Sequence, residues 1–291
     1  CQWHYNGGTR LVDGPNISGA TSNVLVLHKV TPALAGSYSL AITNPSGFDV
    51  SSSATLTVTT PFNTAQASNI WSLLPGDRPY LGTGGTERGI AYNRVTGNLL
   101  LVSRLPADPA VVVLDGLTGA EKHLMNVTGI PSSTAGVTLG LSTIGATDDG
   151  LVFAASVTVA AGTSALYIYG WPDDSTDYQP SVVFAGDPAA GVEPNLRWGD
   201  SMAVRGSGAT TQVLMAPGSG TNVVLFRTTS GHDFQNEIPP AVIAVSGVTS
   251  GFARFSVAFG PGTNTFWAKT SGGLLYLIQF DADARTGSVL Q

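Results

Sequence analysis

One pattern recurs four times beyond residue 69 and limits the folds open to this chain. Each occurrence has a strand rich in small residues, a Gly, Asp or Asn turn, a more apolar strand, a second turn and a third strand. The four stretches span residues 88–124, 140–174, 198–229 and 253–290, so their starts lie roughly 50–60 residues apart. Units of about 40–50 residues with three or four strands are typical of propeller blades.

Two of the four stretches share a hairpin, which supports a true repeat. "VLDGLTGAE" (113–121) and "IQFDADARTGSV" (278–289) each contain a strand, an Asp, a turn and a Thr-Gly pair. The repeat predicts about four visible blades in residues 69–291. A propeller usually closes by pairing its first and last strands, so we also expect this unit to be incomplete at its C-terminus.

The composition favours an all-β protein and argues against both nucleic-acid binding and a membrane-spanning helix. Charged residues make up 11% of the chain, against about 25% in ordinary soluble domains, while 36 glycines and 17 prolines supply turns. The net charge is −6 and no Lys/Arg cluster is present, which disfavours nucleic acid. No apolar run approaches the roughly 20 residues of a membrane helix.

The first 58 residues carry a second, different pattern of short strands. The strand-like segments "QWHYNG" (2–7), "NVLVLHKV" (23–30), "AGSYSLAITNPSG" (35–47) and "SSSATLTVT" (51–59) are separated by turn residues. Short strands at such spacings predict a β-sandwich. Residues 59–68, "TTPFNTAQAS", have no visible period and are predicted to be a linker.

This first segment resembles the bacterial immunoglobulin-like repeats. The matching residues are Gln2-Trp3 with Asn6-Gly7, then 17–21 ("ISGAT"), 35–38 ("AGSY") and 54–58 ("ATLTV"). The resemblance implies a core tryptophan at Trp3, a tyrosine corner at Tyr38, and an extracellular or cell-surface setting. The chain lacks the two strands that precede this pattern in the family. We therefore expect a partial sandwich that begins inside a larger protein, or one that a neighbouring protein's strand completes.

Residues 66–291 resemble an uncharacterised family of propeller-like domains that follow immunoglobulin-like repeats in secreted bacterial proteins. The likeness is carried by "ERGIAYNRVTGNLLLVSR" (87–104), "ATDDGLVFAAS" (146–156), "RWGDSMAVRGSGATTQVL" (197–214) and "VAFGPGTNTFWAKTSGG" (257–273). It implies an architecture and a cellular setting, but no activity.

The loops that lead into the innermost strands are the candidate ligand site, because they open near the axis of a propeller. In this chain they carry Glu87, Arg88 and Arg254, and also Arg197, Trp198 and Asp200. Arginine offers forked donors to a carboxylate, and tryptophan offers a stacking face to a sugar. The alternative is that Arg88, Arg197, Trp198 and Arg254 are structural and that ion pairs among these charges lock neighbouring blades.

Catalysis and metal binding have weaker candidates. A glycosidase needs two acids across a cleft, and Glu87 with Asp200 is the pair that falls near the axis, with Glu193 as a third candidate. No Gly-x-Ser-x-Gly nucleophile elbow is present. The acidic doublets Asp148-Asp149 and Asp173-Asp174 are candidates for Ca²⁺, although neither has the spaced calcium-loop pattern. We expect no other cofactor.

Three functions remain open from the sequence. The first is a binding, adhesion or spacer module of a larger bacterial surface or secreted protein, with a glycan or polymer as its ligand. The second is a secreted hydrolase or lyase that acts on polysaccharide or another polymer at the axial face. The third is an assembly subunit whose sandwich is completed by a neighbour's strand. The sequence favours the first, because it contains no recognisable catalytic set.

Overall fold

The all-β prediction is confirmed. The computed structural model describes residues 1–58, 69–85, 87–132 and 139–290, so the predicted linker at 59–68 lies outside the described residues. Within those ranges the helical content is two short 3-10 helices, Pro32–Leu34 and Gly208–Thr210. Neither is long or apolar enough to cross a membrane. The chain forms two compact units, Cys1–Ser68 and Asn69–Gln291.

The first unit is a small antiparallel sheet with one additional hairpin. Its main sheet has the strand order β2-β1-β5-β6, and β7 pairs with the first residues of β5, on the same side as β6. The hairpin is formed by β3 and β4. The strands are β1 (Gln2–Tyr5), β2 (Thr9–Arg10), β3 (Ile17–Ser18), β4 (Val26–Leu27), β5 (Gly36–Asn44), β6 (Gly47–Val50) and β7 (Ala54–Leu56).

Tyr38 on β5 anchors the first unit. Its hydroxyl donates a hydrogen bond of 2.6 Å to the carbonyl of Leu34, four residues upstream, which is the contact of a tyrosine corner. Its ring lies 5.2 Å from that of Tyr5. Trp3, expected in the core, is only half-buried, and its Nε1 donates to the Ser22 carbonyl. The buried apolar residues described in this unit are Ala20, Tyr38 and Ala41, so its core is small.

The second unit begins with two four-stranded antiparallel blades. Blade 1 consists of β8 (Glu87–Asn93), β9 (Asn98–Ser103), β10 (Ala110–Asp115) and β11 (Glu121–Leu124). Blade 2 consists of β12 (Leu139–Ala146), β13 (Val152–Val157), β14 (Leu166–Trp171) and β15 (Ser181–Gly186). Continuous apolar runs such as "AVVVL" on β10 are buried on both faces, because each blade is covered on two sides.

Blades 3 and 4 join into one eight-stranded sheet. Blade 3 consists of β16 (Met202–Arg205), β17 (Gln212–Met215), β18 (Asn222–Arg227) and β19 (Ala241–Ser246). Blade 4 consists of β20 (Ser256–Phe259), β21 (Thr265–Lys269), β22 (Leu275–Asp281) and β23 (Thr286–Val289). The outermost strands β19 and β23 pair in parallel, and β16 lies beside β20. We call this β16–β23 structure the double-blade sheet.

The innermost strands of all four blades lie side by side. β12 packs beside β8 and β16, and β16 packs beside β20, so the blades follow one another around a common axis. Separate apolar clusters fill the spaces between successive blades. The outer face of blade 1 is covered by Trp71, Leu73, Tyr80 and Leu81, which precede its first strand. This arrangement brings the loops that lead into the innermost strands to one end of the axis.

Candidate axial binding site

The axial end of the second unit contains two adjoining cavities that all four innermost strands line. One, of about 190 Å³, is bounded by Glu87, Arg88, Ser142, Thr143, Asp200 and Phe255. The other, of about 270 Å³, shares four of these residues, Arg88, Thr143, Asp200 and Phe255. We call the two together the axial cavity. The structure therefore brings Glu87 and Arg88 of blade 1 together with Asp200 of blade 3. The sequence predicted this proximity but could not establish it.

Gly199 sets the position of Asp200. Its φ of +97° lies in the left-handed region, which favours glycine. A Cβ placed on it would lie 1.9 Å from the carbonyl oxygen of Ser156, so no other residue fits without moving the backbone. Next to it, the Trp198 amide donates to the carbonyl of Thr158 at 3.0 Å. The segment 198–200 is thus fixed against blade 2 and directs Asp200 towards Arg197 and Arg254.

Two arginines hold the carboxylate of Asp200. Arg197 donates through Nε to Oδ2 at 2.6 Å and through Nη2 to Oδ1 at 2.7 Å, which is a bidentate pair. Arg254, from the loop that leads into blade 4, donates through Nε to Oδ2 at 3.1 Å. Only 6% of the Asp200 side chain is exposed. This cluster links blades 3 and 4 at the axis.

The two arginines also control the ionisation of Asp200. Burial by itself would raise the pKa of this carboxyl, but the hydrogen bonds and positive charges of Arg197 and Arg254 outweigh it, and the pKa is lowered. In return, the hydrogen bond to Asp200 raises the pKa of Arg197. Asp200 is therefore a carboxylate at neutral pH, with both oxygens already accepting hydrogen bonds. Such a group has neither the proton of a general acid nor the free oxygen of a nucleophile.

Arg88 and Phe255 are two of the exposed residues that line the axial cavity. Arg88 is exposed and has no ion-pair or hydrogen-bond partner among the described residues. The Phe255 side chain is 52% exposed, and the Arg254 guanidinium lies 4.9 Å from its ring centre. Thr143 contributes a buried Oγ1 without a partner in the described part of the chain. The site thus offers a cation, an aromatic ring and an unsatisfied hydroxyl.

Sequence reasoning missed Phe255 and Thr143 at this site. Phe255 directly follows Arg254, so the same loop position could have indicated it. Thr143 lies in the middle of a strand, "LGLSTIGA", and no local signal separates it from its neighbours. A side chain on a buried strand becomes part of a site only through the packing of the neighbouring blade.

Three other predicted site residues have different surroundings. Trp198 is buried with 1% exposure in the core between blades 2 and 3, so its ring is not available for stacking on a ligand. Glu87 lines the axial cavity and accepts a hydrogen bond from the amide of Gly82. Glu193 is bound to the Asn222 side chain at 2.7 Å and does not line the axial cavity. Glu193 therefore lies away from the other two catalytic candidates, Glu87 and Asp200.

The acidic doublets have local protein partners. Asp148 pairs with Arg94 at 2.8 Å, and Asp149 accepts from Thr147 and from the Gly208 amide. Asp173 accepts from the Ser175 amide.

Asp174 is 4% exposed, and its Oδ2 accepts from three side chains of blade 1: Asn93 at 3.1 Å, Thr96 at 2.6 Å and Asn98 at 3.1 Å. Within the described ranges, no three His, Cys, Asp or Glu residues come together as metal ligands. Each of the four carboxylates thus has a protein partner, and Asp174 acts as a link between blades 1 and 2.

Comparison with known proteins gives similarity of shape only. No protein-family profile and no curated protein matches the chain. Among solved structures, a complex of KlAtg21 with the coiled coil of AgAtg16 is similar with a TM-score of 0.41 and 16% identity, over 70% of this chain and 57% of that chain. The structure of U3-55K has a TM-score of 0.39 and 15% identity, over 70% and 53%. A nidogen/laminin complex has a TM-score of 0.33 and 7% identity, over 88% and 96%.

The chain thus spans little more than half of the first two of these structures. At such scores the likeness says nothing about function. The fold and the site themselves define an all-β protein with a propeller-like unit of four blades and a charged axial cavity.

Proposed function

We propose that this chain is a non-enzymatic binding module of a secreted or cell-surface bacterial protein, and that the axial cavity takes the carboxylate group of an acidic polysaccharide. Arg88, which lines this cavity with no protein partner among the described residues, carries the proposal. An arginine guanidinium is the best side chain for a forked pair with a carboxylate. Phe255 beside it offers an apolar face for the sugar ring.

The charges around the cavity support an anionic ligand. Three arginines, Arg88, Arg197 and Arg254, surround two acids, Glu87 and Asp200, in a chain whose net charge is −6. Asp200 is compensated by two of these arginines, so the third is left for a ligand. The small volumes, about 190 and 270 Å³, suit one carboxylate and part of one sugar ring. A longer polymer would extend outside the cavity along the exposed axial face.

The same geometry gives less support to a hydrolase or lyase. A glycosidase acid must hold a proton near neutral pH, whereas the pKa of Asp200 is lowered. A glycosidase nucleophile or base needs a free carboxylate oxygen, whereas both oxygens of Asp200 bind arginine. The observed pairing is that of a cluster that links blades 3 and 4 beside the axial cavity.

Titration calorimetry of the full chain with tetragalacturonate tests the proposal, and the fully methyl-esterified tetramer is the matched neutral ligand. We expect tetragalacturonate to bind more tightly than the ester and to bind more weakly as salt is added, because salt screens exposed charges. Arg88→Ala should raise the dissociation constant at least about tenfold, equivalent to ~1.4 kcal/mol.

Arg94→Ala is the control variant. Arg94 is also an exposed arginine of blade 1, but it is paired with Asp148 and does not line the cavity. Its removal should leave the affinity for tetragalacturonate unchanged. The proposal would be contradicted if tetragalacturonate and its methyl ester bound equally well. It would also be contradicted if Arg88→Ala and Arg94→Ala lost the same affinity for tetragalacturonate. Release of reducing ends from polygalacturonate by the wild-type chain would instead support the enzyme alternative.

A further inference from the structure

A larger cavity lies at one end of the double-blade sheet, away from the axial cavity. Its volume is about 620 Å³, within the range of roughly 300–1,000 Å³ typical of small-molecule sites. Its lining comes from strand ends and turns of blades 3 and 4, including Gln212, Arg227, Asn264 and Ala282. None of the residues that line the axial cavity lines this one. We call it the double-blade cavity.

The floor of this cavity is apolar and its mouth is polar. Leu225 and Phe280 line it and also belong to the buried cluster that fills the double-blade sheet, with 1% and 5% exposure. Beyond them, the lining residues at the strand ends carry amides, hydroxyls, the Arg227 guanidinium and the Asp281 carboxylate. On β18 the lining changes from apolar to polar within two residues, from Leu225 to Arg227. An apolar floor below a ring of hydrogen-bonding groups is the usual construction of a small-molecule site.

Two arginines fix the mouth before any ligand is present. Arg205 on β16 donates to the carbonyl oxygens of Gly262 and Thr263, in the turn between β20 and β21, and its guanidinium lies 3.9 Å from the Phe259 ring centre. Arg227 donates through Nη1 to Asp283, in the turn between β22 and β23, at 2.7 Å. Two of the three turns of blade 4 are thus hydrogen-bonded to blade 3. A preorganised mouth lowers the entropic cost of binding.

Several polar groups at the mouth have no protein partner. The Arg227 Nε is buried and unpaired within the described residues. The Asn264 side-chain amide likewise has no hydrogen-bond partner there, since only its backbone carbonyl is bonded, to the Phe280 amide. Gln212 accepts from Arg205 through Oε1, which leaves its Nε2 free in the described chain. The Asn264 side chain is exposed and Gln212 is half-buried, so both can meet a ligand at the mouth, whereas the Arg227 Nε is buried, and buried polar groups are normally paired.

The charged residues that line this cavity balance, which favours a neutral ligand. Arg227 provides one positive charge and Asp281 provides one negative charge. An anion or a cation would therefore meet one like-charged group for each opposite one. Unpaired amides both donate and accept, as the hydroxyls of a sugar do, and Phe280 adds an aromatic residue to the floor.

We propose that the double-blade cavity is a second binding site, which takes a neutral saccharide. It is independent of the axial cavity, because no residue is shared and the chemistry differs. The axial cavity offers an unpaired cation to a carboxylate, whereas the double-blade cavity offers amides to hydroxyl groups. Neutral sugar units bind at the strand ends of blades 3 and 4, whether or not the axial cavity binds the carboxylate of an acidic sugar.

The test is titration calorimetry of the full chain with cellotetraose, xylotetraose, mannotetraose and maltotetraose. At least one should bind the wild-type chain. Ala282→Phe places a ring at the mouth and should weaken that binding at least about tenfold. Ala284→Phe is the matched control, because Ala284 lies in the same turn, is exposed and does not line the cavity. It should bind as the wild type does.

Two further variants keep the test decisive. Asn264→Ala removes an amide without adding bulk and should also weaken binding, even if Ala282→Phe fails to fold. Arg88→Ala should leave the affinity for the neutral tetrasaccharide unchanged. The proposal is overturned if none of the four sugars binds, if Asn264→Ala binds as the wild type does, or if Arg88→Ala abolishes neutral binding. The last outcome would assign the sugar to the axial cavity.

Discussion

Asp200 and Arg254 lie 54 residues apart in the chain and meet across two blades, with the arginine Nε 3.1 Å from the carboxylate Oδ2. Arg197 completes the cluster from the Asp200 side. The axial end of blades 3 and 4 is therefore held by charge as well as by apolar packing. Because a single carboxylate serves both arginines, the cluster depends on Asp200 more than on either partner.

Replacing Asp200 by Asn should destabilise the second unit by about 2–4 kcal/mol, because two arginines then face each other without a counter-charge. We expect the lower part of this range, because 27% of the Arg197 side chain and 36% of the Arg254 side chain are exposed to solvent. Urea unfolding measures the change. Asp148→Asn, which breaks the exposed pair with Arg94, should cost less than about 1 kcal/mol. Equal losses in the two variants would show that the axial cluster adds no special stability.

The Asp200 contribution should also depend on acid pH. The pKa of this carboxyl is lowered in the folded chain, while an unfolded aspartate titrates near ~3.9. The folded state thus binds the proton more weakly, so the contribution is complete above pH ~4 and is lost as pH falls through the folded pKa. The stability difference between wild type and Asp200→Asn should shrink below pH ~4. A difference that stays constant down to acid unfolding would contradict this assignment.

Asp174 should matter far more than its neighbour Asp173. Asp174→Ala leaves the buried amides of Asn93 and Asn98 without their acceptor and should cost about 2–4 kcal/mol. Asp173→Ala removes a bond to the Ser175 amide in its own turn and should cost about 1 kcal/mol or less. Thermal unfolding of both variants, with and without added Ca²⁺, measures this. A calcium-dependent rise in the wild-type melting temperature that both variants lose would restore the doublet as a metal site.

Alkaline pH should act through Tyr169, which lies in the core between blades 1 and 2 with 4% exposure. Burial, with a smaller effect of Tyr167, raises its pKa to about 12. An unfolded tyrosine titrates near ~10, so the folded state holds this proton more tightly. The contribution of protonated Tyr169 to the free energy of unfolding is fully present below pH ~10 and is lost as pH rises from there to about 12.

Tyr169→Phe removes this titration. Above pH ~10 the wild-type chain should therefore lose stability relative to the Phe variant, by up to ~2–3 kcal/mol. Denaturant unfolding at several alkaline pH values follows the difference in stability, and the difference in phenolate absorbance between the two proteins reports the ionisation of Tyr169. Parallel pH curves for the two proteins would show that Tyr169 ionises as freely in the folded chain as in the unfolded one. Tyr167→Phe is the partner control and should have the smaller effect.

The sequence by itself determined the strand content, the fourfold repeat and the positions of the loops that reach the axis. These follow from local rules: turn residues end strands, alternation and apolar runs mark buried faces, and a repeated pattern repeats a structure. The link from Tyr38 to Leu34 is likewise short-range, and the sequence pointed to it. The charged axial residues Glu87, Arg88 and Asp200 were found for the same reason, because their loop positions recur in each unit.

Only the tertiary structure decided which of these residues meet and what they can do. Trp198 belongs to an inter-blade core and Phe255 lies open at the axis, although both sit in equivalent loops. Local sequence could not separate them, because burial depends on the facing blade. The parallel pairing of β19 with β23 creates the double-blade cavity from segments more than 40 residues apart. Such contacts depend on how completed blades pack, and no pattern within one blade specifies that.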